Sequence, residues 1–409
     1  MQGPYVYALY EHYGFTEAEV GRLFVAGFGS SMVFGTFVGS LADRLGRKLA
    51  CLAYALTYSV ACVLKGFPSF PVLMAGRVLA GISTSLLFSS FESWLVSTHA
   101  SRRYPADLLS TTFARAVFYG NGVAAVASGQ LGHLLVDVAR LGPVAPFYAA
   151  VAFLAAGAAI VSLTWTENYG RAAASDAGGG SPPAARAPGA AAWAWARGAA
   201  TEQCRAFGTA LSLVSGREDL LLLGTIQSTF EAAMYTFVFM WTPALTPPGG
   251  EAIPHGSIFA CFMLACMLGS SLAGALMSAG GVRVERYMAA VFCAAAAALA
   301  PRTLVAVATP EGGSVMDTGE WALVFVGFLA FEACVGVFWP SLMKMRSEIV
   351  PEGLRSTIMN IFRVPLNAFV CVVLFNVGRL STAAVFSVCV SMLLLCALLQ
   401  VRLSRLLAA

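Results

Sequence analysis

Long apolar runs alternate with short polar breaks along almost the whole chain. The runs fall at about 1–14, 20–42, 49–66, 70–97, 107–135, 143–164, 219–243, 256–279, 285–308, 320–343, 356–378 and 381–401. A membrane-crossing helix needs ~20 predominantly apolar residues, and all but the first of these runs approach or exceed that length. The pattern predicts an all-α integral membrane bundle of 12 transmembrane helices. Residues 1–14 are too short to cross a ~30 Å hydrocarbon core at ~1.5 Å per residue, so the first helix is expected to begin upstream of Gln2. That segment has no basic, apolar and small-residue succession of a cleaved leader.

Composition agrees with the pattern. Hydrophobic residues make up 58% of the 409 and charged residues 11%, well under the quarter or so of a soluble domain. The net charge of +4 says less than the placement of the charges, which gather in alternate breaks. One side of the bundle collects Arg44, Arg47 and Lys48, Arg102 and Arg103, Arg283 and Arg286, Lys344, Arg346 and Arg355, and Arg402 and Arg405. The other holds Arg22, Lys65, Arg140, Arg302 and Arg379. The richer side is read as cytoplasmic. The connection at 165–218, with Arg171, Arg186, Arg197, Arg205 and Arg217, lies on that side and divides the spans into halves at 1–164 and 219–409. Within it, Ala172–Ala192 reads as a disordered linker. Trp193, Trp195, Phe207 and Leu211 fit either an interfacial helix or a tether with incidental aromatics.

Few residues suggest chemistry. The ten cysteines lie mostly inside apolar runs without zinc spacing and read as small packing residues. His12, His99, His133 and His255 are scattered. Neither a metal site, a cofactor, a nucleophile constellation nor a nucleic-acid partner is expected, and the enzyme class is disfavoured; the lipid bilayer is the expected surrounding partner.

Two short patterns recur in register with the halves. Gly39-x3-Asp43-x2-Gly46-x-Lys48 returns as Gly274-x3-Ser278-x2-Gly281-x-Arg283, and Pro105-x4-Ser110-Thr111 returns as Pro351-x4-Ser356-Thr357. Such echoes are expected of a duplicated architecture.

The segment Gly39-Ser40-Leu41-Ala42-Asp43-Arg44-Leu45-Gly46-Arg47-Lys48 resembles the loop between the second and third helices of the major facilitator superfamily. Gly35 and Gly39 allow a neighbouring helix to approach, Gly46 permits a tight turn, and Asp43 faces Arg47 and Lys48 at the water boundary. A topogenic role alone explains the cations but not the spaced glycines or Asp43. The resemblance implies a gating role for Gly39, Asp43, Gly46 and Arg47. Further segments are similar to the molybdate-anion transporter family within that superfamily: Gln2-Gly3-Pro4-Tyr5, Gly76-Arg77, Phe91-Glu92-Ser93-Trp94, Gly142 to Phe147, Trp165 with Glu167-Asn168-Tyr169, Leu223 to Gln227, and Phe362-Arg363-Val364-Pro365-Leu366. The resemblance implies a major facilitator-type bundle in two six-helix halves and uptake of molybdate, an oxyanion, across a cell membrane by alternating access.

Six ionisable residues fall inside spans: Arg77, Glu92, Arg115, Glu231, Glu332 and Arg363. Each costs ~2.5–3.5 kcal/mol at mid-membrane, so they are expected to point inward and compensate one another. A guanidinium offers a planar fork of donors that stays charged when partly dehydrated. Arg115 and Arg363, one from each half, are therefore the candidate substrate ligands, with Arg77 a third. Gln227, Asn121 and Asn367 are neutral donors at similar depth. Pro365 frees backbone groups beside Arg363. Glu231 and Glu332, near the bilayer centre, are candidates for taking up a proton while releasing an arginine to the anion, which makes protons the candidate coupling ion. Tyr5, Tyr7 and Tyr10 read as interface anchors. Sulfate or another oxyanion, and a receptor or scaffold that binds without transporting, remain alternatives.

Overall fold

A computed structural model describes residues 2–105, 108, 112, 116, 118–169, 207–246, 253–278, 283–308, 317–351, 355–376 and 379–408. These are helices joined by short turns, and no strand occurs among them. In chain order the helices are α1 Tyr5–His12, α2 Glu17–Leu45, α3 Arg47–Leu64, α4 Phe70–Ser101, α5 Ala125–His133 between π-helical turns Phe118–Ala124 and Leu134–Val138, and α6 Ala145–Thr164. A short α7, Phe207–Gly216, precedes α8 Glu218–Leu245, α9 His255–Ser278, α10 Val284–Ala308, α11 Thr318–Ile349, α12 Arg355–Asn376 and α13 Thr382–Leu406. Phe207 and Leu211 thus lie on a helix, whereas Trp193 and Trp195 lie outside the described residues.

Local chemistry sets the ends. Gly46 separates α2 from α3 with φ +117°, a conformation that a side chain resists. Asp317 and Glu320 form a reciprocal capping box at the start of α11, Glu320 N–H donating to Asp317 Oδ1 at 2.7 Å. The same helix runs past its predicted end at 343 to Ile349 and stops before Pro351, with Val350 already extended, as the residue before a proline prefers. Among the described residues, seven helices are individually long and apolar enough to cross a bilayer. At 28 residues α8 is long enough, but buries Gln227, Ser228, Glu231 and Thr236 among its apolar side chains.

The chain divides into two compact units. The first comprises Met1–Arg22, Ala116–Pro146 and Ser212–Ala409. Its core is aromatic: Phe230 stacks on Phe338 with centroids 4.0 Å apart, and Phe237 meets Phe328 and Phe331 at 4.9 and 4.8 Å. Helices α9 and α11 cross on small residues. A Cβ on Gly269 would strike the Ala333 carbonyl, and one on Gly336 the Cys266 carbonyl, so glycine sets the interhelical distance. Tyr5, Tyr7 and Tyr10 are buried in this unit, and Tyr7 packs edge-on against Phe239 of α8. This corrects their reading as interface anchors: the apolar ring bodies fill the contact between α1 and its neighbours.

The second unit comprises Leu23–Arg115 and Phe147–Leu211. Here hydroxyls join helices, Thr57 to Ser83 at 2.7 Å and Ser31 to Ser85 at 3.4 Å.

The Gly336 contact is directly testable. Gly336→Ala is expected to destabilise the folded protein by about 1–3 kcal/mol, the usual cost of overpacking, whereas Gly274→Ala, whose Cβ meets nothing within 4 Å, should be near neutral. Unfolding followed by fluorescence in detergent measures both; equal stabilities would show that the α9–α11 crossing is not held by glycine.

Candidate functional site

Gln227, Glu231 and Tyr235 follow at four-residue intervals on α8 and so share one face. Gln227 and Glu231 are 2% and 3% exposed. From α11, Arg346 reaches them both: its Nε donates to Gln227 Oε1 at 3.0 Å and its Nη2 lies 3.6 Å from Glu231 Oε1. The triangle closes through Gln227 Nε2, which donates to Glu231 Oε1 at 2.8 Å. On α12, Arg363 lies within electrostatic range of Glu231, Tyr235 and Arg346. Ser228 fixes the neighbouring backbone, its hydroxyl donating to the Phe362 carbonyl at 2.6 Å. Asn367, one turn beyond Arg363, is buried as well. One guanidinium thus pairs with the carboxylate and a second lies within electrostatic range of it, so that with Glu231 ionised the cluster carries an excess positive charge.

The structure therefore brings Gln227, Glu231 and Arg363 together. It adds Arg346, which the sequence reading set among the boundary cations. The physical reason is that α11 continues to Ile349 and turns Arg346 inward, leaving it only 14% exposed. Arg115 lies outside the described residues, as do the side chains of Asn121 and Glu92. Glu332 is buried on α11 beside Cys266, away from the triangle. Arg77 serves a helix contact in the second unit: its Nε donates to the Leu23 carbonyl at 3.1 Å and its guanidinium lies 4.2 Å from the centre of the Phe24 ring. Among the described residues, no group of three or more His, Cys, Asp or Glu is arranged to hold a metal ion.

The loop at Gly46 forms a second polar cluster, within the second unit. The first N–H groups of α3 have no intrahelical acceptors, and Glu167 supplies two: Lys48 N–H donates to Oε1 at 2.7 Å and Leu49 N–H to Oε2 at 3.0 Å. Arg47 N–H donates to the Asn168 carbonyl at 3.0 Å, and Arg47 Nη1 to the Ser93 carbonyl at 3.1 Å. Lys48 Nζ caps the end of α6 through the Ser162 and Trp165 carbonyls at 2.9 and 2.8 Å. Trp165 stacks on Trp94 with centroids 3.6 Å apart. Segment 165–169 thus clasps α3 and α4. Gly39 and Asp43 belong to α2, and their surroundings lie outside the described side chains.

Replacing Glu167 with Gln removes the carboxylate charge from the α3 N-terminus and leaves its two N–H donors a weaker acceptor. We expect a loss of about 1 kcal/mol of stability, within the range for helix caps, read by unfolding in detergent. An unchanged midpoint would mean that solvent caps α3 equally well.

With this geometry in place, known proteins can be compared. A family model described as sugar transporters with 12 transmembrane segments matches residues 1–179 and 191–331. A molybdate-anion transporter of Takifugu rubripes is 34% identical over 374 residues, covering 91% of this chain and 74% of that protein. One from Xenopus tropicalis is 33% identical over 368 residues, covering 90% and 73%. Among solved structures, a variant of the nucleoside transporter NupG has a TM-score of 0.68 at 12% identity, covering 98% of this chain and 94% of that one. The inward-open xylose transporter XylE from E. coli has a TM-score of 0.68 at 11% identity, covering 98% and 92%. A POT peptide transporter in complex with sulfate has a TM-score of 0.68 at 13% identity, covering 98% and 93%. At these identities the solved structures speak for the fold alone, whereas the curated relatives, at 33% and 34% identity over about nine-tenths of the chain, show the family. This multi-pass membrane protein belongs to the molybdate-anion transporter family of the major facilitator superfamily.

Proposed function

We propose that the chain is a secondary active transporter that takes up molybdate by alternating access, without altering it chemically, and that Arg346 and Arg363 hold the anion. The observation that carries this reading is the buried triangle of Arg346, Glu231 and Gln227 with a second guanidinium, Arg363, within electrostatic range. Molybdate is a tetrahedral dianion, and guanidinium forks match its oxygens. With Glu231 ionised, the cluster offers one net positive charge; with Glu231 protonated, it offers two, equal to the charge of the substrate. Glu231 is thus an internal anion that occupies Arg346 until a proton releases it. Gln227 holds the carboxylate and the guanidinium in register, and Asn367 is a further donor. Glu332 is a second candidate proton carrier. Arg115, Arg77 and Asn121 remain proposed pathway residues. The loop at Gly46, with Gly39, Asp43 and Arg47, is the proposed gate on the side the charge pattern makes cytoplasmic.

Metal-quantified uptake in molybdate-starved cells tests the assignment. Arg346→Ala and Arg363→Ala should each raise the half-saturating concentration about tenfold or more, the loss expected for a charge-assisted contact. Arg346→Lys should fall between Arg346→Ala and the parent, because it keeps the charge but not the fork. Normal uptake by both alanine variants at normal surface abundance would remove the site and leave the fold untouched. Excess sulfate should leave most uptake intact; full competition would favour a general oxyanion carrier. Anion binding without flux after reconstitution in liposomes would favour a receptor.

Coupling has its own readout. Glu231→Gln should flatten the pH dependence of uptake while retaining anion binding. Unchanged pH dependence in Glu231→Gln and in Glu332→Gln would overturn the proton role.

A further inference from the structure

A second polar cluster lies along α8 from Glu231, at Trp241, about 15 Å away at the helical rise. The charge pattern puts this end of the bundle outside. Four elements of the first unit meet there. Tyr5 comes from α1, His133 ends α5, Asp137 lies in the π-helical turn that follows, and His255 begins α9. Asp137 Oδ2 accepts from Tyr5 Oη at 3.4 Å and pairs with His133 Nδ1 at 2.7 Å. The His255 ring lies between two aromatic rings, with centroids 5.8 Å from both Tyr5 and Trp241. Its neighbour Gly256 is pressed so close to the Gly129 carbonyl and Tyr5 Oη that a Cβ would collide with both. The start of α9 is thereby seated on α1 and α5.

His255 is 8% exposed, and its imidazole engages the Ile253 carbonyl. Its Nε2 is buried and has no hydrogen-bond partner among the described residues. A neutral ring fits this place as an aromatic filler. A proton on Nε2 would create a charged donor with no hydrogen-bond acceptor among the described residues, at the positive end of the α9 dipole. Asp137 is the charged group that faces the ring, but its Oδ2 already serves Tyr5 and His133. Water would satisfy the new donor only if α9 moved away from α1 and α5. We propose that His255 Nε2 is a proton-binding site whose occupation releases the start of α9 from α1 and α5, so that external acid opens this end of the transporter. His133 is paired with Asp137 on its own helical segment and positions the carboxylate.

The purified full-length chain in detergent provides the test, with two readouts. Protonated imidazole quenches indole, so on acidification Trp241 should report a one-proton fluorescence transition spread over about two pH units. Amide hydrogen exchange at 255–260, corrected for its intrinsic pH dependence, should accelerate about tenfold or more below that transition. His255→Phe preserves the aromatic packing and should abolish both changes; His255→Gln serves as a second neutral variant should the first misfold. His133→Gln should retain both. Persistence of the transition without His255, its loss on replacing His133, or quenching without faster exchange would each overturn the proposal.

Discussion

The contact on which the arrangement of the first unit turns is the one between Arg346 and Glu231. A lone charge at that depth costs several kcal/mol, and removing either partner of a buried pair typically costs about 3–5 kcal/mol because the other is left uncompensated. That is comparable with deleting a large core aromatic. The pair is not a close two-point contact: at 3.6 Å it relies on Gln227, which bonds both partners. Helices α8 and α11 must therefore keep their register for the triangle to close. The stacking of Phe230 on Phe338, one residue before Glu231 and two turns before Arg346, fixes the same register from the apolar side. Ser228 extends the constraint to α12 through the Phe362 carbonyl.

The surrounding helices answer a different constraint. In lipid there is little hydrophobic gain from bringing two apolar helices together, so close approach and local hydrogen bonds must hold them. Gly269 and Gly336 supply approach in the first unit. In the second, one of the Thr57 and Ser83 hydroxyls donates to the other, which is free to donate to the Ala53 or Leu79 carbonyl of its own helix. One proton is thus used across the interface and the other within a helix. Against the aromatic core and the glycine crossings, the buried polar face of α8 is a place where unit one departs from simple packing.

Much of this was legible from the residues. The apolar periodicity located the helices because a bilayer imposes a length on them, and Gly46 was recognisable as a break because few other residues accept its backbone conformation. Gln227 and Glu231 announced a shared face by their spacing; extending the same interval would have added Tyr235. Arg346 was not legible as a site residue, since Lys344, Arg346 and Glu348 look like a solvated boundary run. The useful signal was Pro351, which says where α11 can no longer continue and so how far its buried face extends. Glu167 was harder still. Its acceptors serve N–H groups more than a hundred positions away, with Lys48 119 residues distant, and no local pattern encodes a cap supplied from so far along the chain. Arg77 shows how an intramembrane arginine can be accommodated within one unit, by a carbonyl and an aromatic face in reach.

The charge arithmetic of the buried cluster separates capture from transport under the proposed reading. A site with two arginines and no carboxylate would bind a dianion tightly in every conformation, and equal affinity in all states moves nothing. Glu231 changes that. Ionised, it competes with the dianion for Arg346 from within the same helix pair, at an effective concentration no free anion reaches; protonated, it gives up the arginine while retaining its bond to Gln227. Affinity then follows the protonation of one side chain, and the difference between loaded and empty states comes from charge balance instead of from a change in the number of ligands. Sulfate carries the same charge and shape, so this balance alone does not choose between the two anions. Discrimination has to come from the space between the two guanidiniums, which the lengths of Arg346 and Arg363 and the Ser228 tether on α12 together define.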